Sequence, residues 1–348
     1  MDSISILQSL IKIPSFSREE NDVADFFEKK MREVLNLNVQ RHKNNLWVCS
    51  PDYDTQKPTI LLSAHLDTVK PASNWTKDPF SATIEDEKLF GLGSNDDGIN
   101  VVVFLAVFEQ LIKQSQPYNL IFAATAEEEV SGKNGIEALL SQLPKIDFAI
   151  IGEPTNLNLA VAEKGLLVLD VEAKGRAGHA ARDEGENAIY KAISAINWFQ
   201  NYNFEKTSEL LGNVKMTVTQ INAGTQHNVI PDACSFVVDI RTNELYSNQA
   251  IVDIVKQHID MCEVMPRSTR LNSTSTPRNN LIEKAVRLGA KTFGSPTLSD
   301  QALLPFPSVK IGAGDSARSH TADEYVFLSE IENGINFFVK WLNNAEIE

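Results

Sequence analysis

The chain has 348 residues, 43% hydrophobic and 22% charged, a length and balance that suit about two domains with a large buried core and exclude a disordered chain. Its 46 Asp+Glu against 32 Lys+Arg leave a formal net charge of -14, and so acidic a surface repels phosphate backbones and anionic lipid. Neither nucleic acid nor a membrane is therefore an expected partner.

Along the chain, Ser17 and Glu20 form a capping-box pattern ahead of Val23, Phe26, Phe27, Met31, Val34 and Leu35, whose spacing predicts an amphipathic helix. The start of the chain has no basic n-region or long apolar h-region, and no apolar run is long enough to span a bilayer. The expectation is a cytoplasmic protein. Short apolar runs follow that end abruptly in polar residues: Thr59–Ala64 before His65, Leu120–Thr125 before three glutamates, Phe148–Ile151 before Gly152-Glu153, and Val309–Ile311 before Gly312. Ile99–Ile112 and Gly135–Leu143 read as helices. Alternating apolar strands and helices predict a mainly parallel α/β sheet covered on both faces, with ligands gathered at the carboxyl ends of its strands.

The middle of the chain changes texture. Strand patterns at Gly165–Ala173, Val214–Ile221, Ser235–Ile240 and Cys262–Met265 interleave with helical spacing at Glu186–Phe199 and Asn248–Ile259. Strand, helix, strand, strand, helix, strand is a split βαβ layout. It predicts a domain inserted at 166–275, with a catalytic domain built from 1–165 and 276–348. The polar stretch Arg267–Arg278 reads as the linker back. Cys49, Cys234 and Cys262 stand far apart in apolar contexts, which suits buried small hydrophobes rather than disulfides or a thiolate metal site.

His65-Leu66-Asp67 stands at a strand end, where residues i and i+2 share a side, so Asp67 can orient one imidazole nitrogen while the other faces a metal. Gly91-Leu-Gly-Ser-Asn-Asp96-Asp97-Gly98 has no GK[ST], and its third glycine is displaced from the dinucleotide fingerprint. Its glycines either aim Asp96 inward or simply form a turn in which the aspartates cap the next helix. Ala126-Glu127-Glu128-Glu129 gathers three carboxylates at a strand end, which is costly unless a cation compensates or the loop is exposed. Glu153 ends the next strand in the same way, and His320 lies near the C-terminus. Two histidines with at least three carboxylates form a ligand set suited to zinc, manganese or cobalt.

The motifs AHLDTV, GLGSNDDG, TAEEE, GEPT, GRAGHAA, NVIPD-to-DIR and SHTADEY occur in one order along nearly the whole chain. In this the sequence resembles the acetylornithine deacetylase / succinyl-diaminopimelate desuccinylase family of co-catalytic metallopeptidases and amidohydrolases. The resemblance implies a zinc-peptidase-like catalytic domain with an inserted ferredoxin-like domain that serves as lid and dimerisation surface, hence a homodimer. It also implies two divalent ions, zinc, cobalt or manganese. His65 binds one, His320 the other, Asp96 bridges them, and Glu129 and Glu153 complete the two sides. Asp67 orients His65, and Glu128 is the general base that activates water.

His179, in GRAGHAA, is implied to reach a partner subunit's site and stabilise the oxyanion, although by itself it reads as a surface residue. Asn228, Arg241 and Lys164 match substrate-contacting positions and equally suit fold-supporting roles. His42, His227 and His258 have only local roles to fill. The family often has Lys where Gly98 stands here. The leading expectation is hydrolysis of N-acetyl-L-ornithine to L-ornithine and acetate, in arginine biosynthesis. The alternatives are a desuccinylase acting on N-succinylornithine or succinyl-diaminopimelate, and a dipeptidase or aminopeptidase on the same centre. A succinyl carboxylate would need a cation, for which Lys164, Arg241 and Arg318 are the candidates.

Overall fold

The structure is a computed structural model that describes residues 2–182 and 184–347. It separates into two compact units, Met1–Val161 with Thr276–Phe293 and Ser299–Glu348, and Ala162–Ser275 with Gly294–Leu298.

The first unit is built on a mixed sheet. Across it the strands run Gln40–His42, Asn45–Cys49, Asn119–Thr125, Thr59–His65, Phe148–Ile151, Ser308–Lys310 and Leu159–Glu163. The four strands from Asn119–Thr125 to Ser308–Lys310 are parallel, and the pairs outside them are antiparallel. Every residue of Thr59–His65 and of Asn119–Thr125 is buried, because layers cover both faces and the strands need no polar side. On one face lie the helices Ser3–Ile11, Asn21–Leu35, Ile99–Leu111 and Leu328–Leu342. Ile99–Leu111 is apolar almost all round and accordingly buried; its Phe104 meets Phe338 edge-on at 5.0 Å. The other face packs Ile136, Leu139 and Leu303 onto Leu61, Ile121, Ala123, Ala149 and Ile151.

Register decides where the chemistry falls. His65 pairs with Thr125, Ser63 with Ile151, and Ile151 with Lys310. The residues that follow these strands therefore emerge at one edge, the carboxyl end where α/β sheets gather ligands.

Two local expectations need correction. The predicted capping box does not form: Ser17 Oγ donates to Asp67 Oδ2 at 2.7 Å, while Glu20 accepts the backbone N–H of Arg18 and of Glu127. Both side chains are drawn into the loops at the strand ends, and the helix begins at Asn21 without a side-chain cap. The helix expected over Gly135–Leu143 is shortened to Ile136–Leu140.

The second unit has a four-stranded antiparallel sheet in the order Lys215–Ala223, Ala233–Thr242, Gly165–Lys174, Cys262–Pro266. Burial alternates along Gly165–Lys174. Its buried face packs Leu167, Leu169 and Val171 against Ala192, Ala195 and Phe199 of Ala188–Asn201 and Ile251 and Val255 of Asn248–His258. Within 267–278, expected as a linker, Thr274–Ser275 pairs as a short strand with Leu159–Glu163. Among the described residues no helix is long and apolar enough to cross a membrane.

Candidate metal centre

The strand ends of the first unit bring together residues that lie more than 250 positions apart in the chain. His65 Nε2 lies 3.2 Å from Asp96 Oδ1 and 4.0 Å from Glu128 Oε2. His320 Nε2 lies 3.0 Å from Glu129 Oε2 and 3.6 Å from the other Asp96 oxygen, Oδ2. The two oxygens of Asp96 thus face two different imidazoles. Ligand atoms of His65, Asp96 and Glu129 all fall within 4.8 Å of one another, and so do those of His65, Glu128 and Glu153.

The loop that delivers Asp96 needs glycine. Gly93 has φ +72°, and a Cβ there would meet Thr68 Cγ2 at 2.5 Å. Asp96 points inward, as one of the two sequence readings expected, whereas Asp97 caps no helix. It is buried and accepts from Asn100 Nδ2 at 2.5 Å. Two asparagines unremarked in the sequence tie this loop to the segment that carries His320. Asn95 accepts the Asp315 N–H at 2.9 Å and donates to the Asp315 carbonyl and to Ser319 Oγ. Asn100 accepts the Ala313 N–H at 2.8 Å. Such contacts hold His320 at φ +58°, a left-handed conformation that costs about 1–2 kcal/mol outside glycine. Nothing but an Asn before and after the paired aspartates marked these tethers in the sequence.

Electrostatics test the fit to a cation. Burial, then the neighbouring Glu153 carboxylate, pushes Glu128 well above the usual range, and burial followed by Asp96 does the same to Glu153. Asp97 is pushed up to about 8, by burial first and also by Asp96. Asp67 and Asp96 go the other way: burial opposes their charge, but His65 outweighs it. His320 is raised to about 9, chiefly by its bond to Glu129. A carboxylate cluster held against burial and mutual repulsion is what divalent cations relieve. Imidazole nitrogen with carboxylate oxygen is a donor set for zinc, manganese or cobalt. Two further buried charges, absent from the sequence reading, stand behind it. Lys310 acts on Glu153 and Asp300 on Glu128.

Asp67 departs from its expected geometry. His65 Nδ1 lies 2.8 Å from the Asp67 backbone carbonyl and 3.6 Å from its carboxylate. The carboxylate instead accepts the N–H of Glu128 at 3.0 Å and of Glu129 at 3.2 Å, besides Ser17 Oγ. A buried carboxylate placed under two backbone N–H groups is best satisfied by them. Glu127, the first of the three glutamates, is likewise occupied by Asn134, through its backbone N–H and Nδ2.

Arg318 is committed within the fold. Its guanidinium makes a two-pronged pair with Glu330 at 3.0 and 2.6 Å and lies over the rings of Tyr325 and Phe327. Arg318→Met is expected to cost roughly 2 kcal/mol of stability, read as a lower melting temperature. KM for an acylated substrate should not change.

The remaining candidates belong to the second unit. His179 is exposed on the short strand Gly178–His179, which pairs with Val229–Ile230, and its Nδ1 accepts the Ala181 N–H. Asn228 adjoins it, its carbonyl accepting the Ala180 N–H at 3.0 Å. Arg241 pairs with Asp239 at 2.9 Å and stands opposite Lys215 in the sheet. Lys164 Nζ donates to the Asn213 carbonyl at 3.1 Å. Its pKa is lowered by burial and then by the charges of Lys215 and Arg241.

The chain is 28% identical to a putative succinyl-diaminopimelate desuccinylase of Mycobacterium tuberculosis (strain CDC 1551 / Oshkosh), over 98% of each chain. It is 27% identical to an acetylornithine deacetylase of Buchnera aphidicola subsp. Schizaphis graminum, over 98% of this chain and 97% of that one. Its fold matches the crystal structure of aminopeptidase PepT from Bacillus cereus with TM-score 0.80 at 18% identity, over 98% and 97% of the two chains. Residues 61–344 match the model of peptidase family M20/M25/M40. With that match over most of its length and a histidine–carboxylate cluster at its strand ends, the chain belongs to peptidase family M20/M25/M40 and is a metal-dependent amide hydrolase.

Proposed function

We propose that the protein removes the acyl group from an Nα-acyl diamino acid. The observation that carries this reading is the pair of ligand groups sharing His65, one of which includes Glu128. His65, Asp96 and Glu153 would hold one ion, and His320, Asp96 and Glu129 the other. Ions held by these residues would polarise an amide carbonyl and acidify water, the activation an amide needs for hydrolysis near neutral pH. Glu128 takes the proton from the attacking water and later delivers it to the departing amine nitrogen. Without ions, burial and Glu153 raise its proton affinity, and cations held beside it would bring it back toward the range in which a base works. Asp67 fixes where that carboxylate stands by holding the N–H groups of Glu128 and Glu129.

His179, exposed beside Asn228, would donate to the oxyanion in the site of a second copy; a homodimer formed through the second unit is part of this reading. Removing one such donor typically costs about 2.7–4 kcal/mol.

Two acyl groups compete, and relatives named for desuccinylation and for deacetylation match at 28% and 27% identity. Desuccinylase names among the relatives favour an acyl group that ends in a carboxylate, hence a succinyl substrate, with Lys164 as the cation that would receive it. N-acetylornithine, the first expectation from the motifs, is the alternative. A kinetic panel of acetyl-, succinyl- and peptidyl-amino acids with added zinc or cobalt is the test. Higher kcat/KM for succinyl substrates is expected, together with a rise in KM for them alone in Lys164→Met. A preference for free dipeptides would overturn the deacylase reading.

A further inference from the structure

We infer that Glu324 is a positioning residue of the metal centre, its buried carboxylate holding the loop that aims Asp96 between the two histidines. The inference rests on the reading of Asp96 as a ligand. Glu324 is 2% exposed. Its Oε1 accepts the N–H of Asn95 at 2.8 Å and of Asp96 at 3.0 Å, and its Oε2 accepts the N–H of Gly93 at 3.1 Å. Three backbone donors converging on one carboxylate form a concave cradle of the kind that binds anions, and these bonds hold the side chain in place although burial and Asp96 push its pKa up to about 8. All three donors belong to the tight loop, and one is the N–H of Asp96 itself.

Strand pairing explains how a residue far along the chain reaches that cradle. Tyr325 stands opposite Phe90 in a small antiparallel sheet, and the N–H of Gly91 donates to the Glu324 carbonyl at 2.9 Å. The side chain of Glu324 therefore enters the loop that opens at Gly91. His320 lies four residues earlier on the same segment, and Asn95 grips that segment again at Asp315 and Ser319. One stretch of chain thus supplies one metal ligand and fixes the backbone of another. A change at Glu324 should disturb the Asp96–His320 spacing without removing any ligand. Glu324 is not itself placed to bind the ions, since its oxygens face backbone N–H groups.

The test compares Glu324→Gln and Glu324→Asp with Asp96→Asn in the full chain. Zinc affinity is measured by competition with a chromophoric chelator, the absorption spectrum of the cobalt-loaded protein is recorded, and circular dichroism reports the fold. A glutamine presents an NH2 group to donors where an acceptor oxygen stood. Glu324→Gln should keep the fold, bind zinc about 10–100-fold more weakly and change the cobalt spectrum. Glu324→Asp keeps the carboxyl group but reaches fewer of the donors, so it should fold and fall between wild type and Glu324→Gln. If Glu324→Gln does not fold, the aspartate variant decides. Wild-type zinc affinity and an unchanged cobalt spectrum in a folded Glu324 variant would overturn the inference. Retention of tight zinc binding by Asp96→Asn would instead overturn the assignment of Asp96 as a ligand.

Discussion

Replacing Glu128 with Gln is expected to lower kcat by about 100- to 10,000-fold, the usual contribution of a positioned general acid–base group, with metal content and fold intact. Glu128 stands 4.0 Å from His65, inside the cluster yet outside the Asp96–His65–His320 relay. A glutamine of the same shape keeps the backbone bond to Asp67 and relieves charge repulsion from Glu153, Asp300 and Glu129. The variant should therefore be at least as stable as wild type and still bind metal, while losing the proton acceptor. Metal analysis and steady-state kinetics on one preparation separate these effects. Activity within a few-fold of wild type would refute Glu128 as the base, whereas lost metal would show that it is a ligand. Asp67→Asn gives a contrasting pattern, because it leaves Glu128 chemically intact and loosens the backbone beneath it. A loss in kcat smaller than that of Glu128→Gln is expected there.

The parts of the site that could be read in the sequence are those whose signal is local. A buried parallel strand is a continuous apolar run, so His65, the glutamates after Thr125, and Glu153 could be placed at strand ends from pattern alone. That these ends share one edge, and that His320 joins them, depends on register between strands distant in the chain, which spacing does not encode. There the motif resemblance named the partners and the structure gives the distances. The failures have one physical origin. Ser17, Glu20 and Asp67 each carry a local pattern, a cap or an HxD, but in the fold each is claimed by backbone N–H groups or side chains more than 45 residues away. Short-range geometry yields when a buried donor elsewhere would otherwise go unpaired. Asn95, Asn100, Asp300, Lys310 and Glu324 carry no signal in the sequence for the same reason: each acts on a group more than 150 residues away. Arg318 reads as a substrate cation because its partner, Glu330, lies twelve residues on, in the first turn of a helix.

Stripping the metal by chelation should both abolish activity and reverse the sign of the pH dependence of stability between about pH 6 and 9. In the protein without its cations, Glu128, Glu153, Asp97 and Glu324 keep protons to higher pH than they would in the unfolded chain. The folded state then binds more protons than the unfolded one, so stability falls as pH rises. His320 acts in the same sense. Raised to about 9 by Glu129, it contributes fully below its ordinary value near 6.5, and that contribution is lost as pH climbs through 9. Asp67 and Asp96 are depressed, so their stabilisation persists above the ordinary carboxylate range and disappears only below it. The stripped protein should therefore be most stable in mildly acidic solution. Above that it should lose about 1.4 kcal/mol per pH unit for each extra proton held by the folded state. With zinc present, protons compete with the ion for the same oxygens and nitrogens, so stability should rise with pH across this window. Saturating metal at about 1,000 times its Kd adds roughly 4.1 kcal/mol. Urea unfolding at a series of pH values, with chelator and with zinc, measures both slopes. Slopes of the same sign would mean that the carboxylates gathered around His65 and His320 do not exchange protons for metal, and the centre would have to be sought elsewhere in the fold.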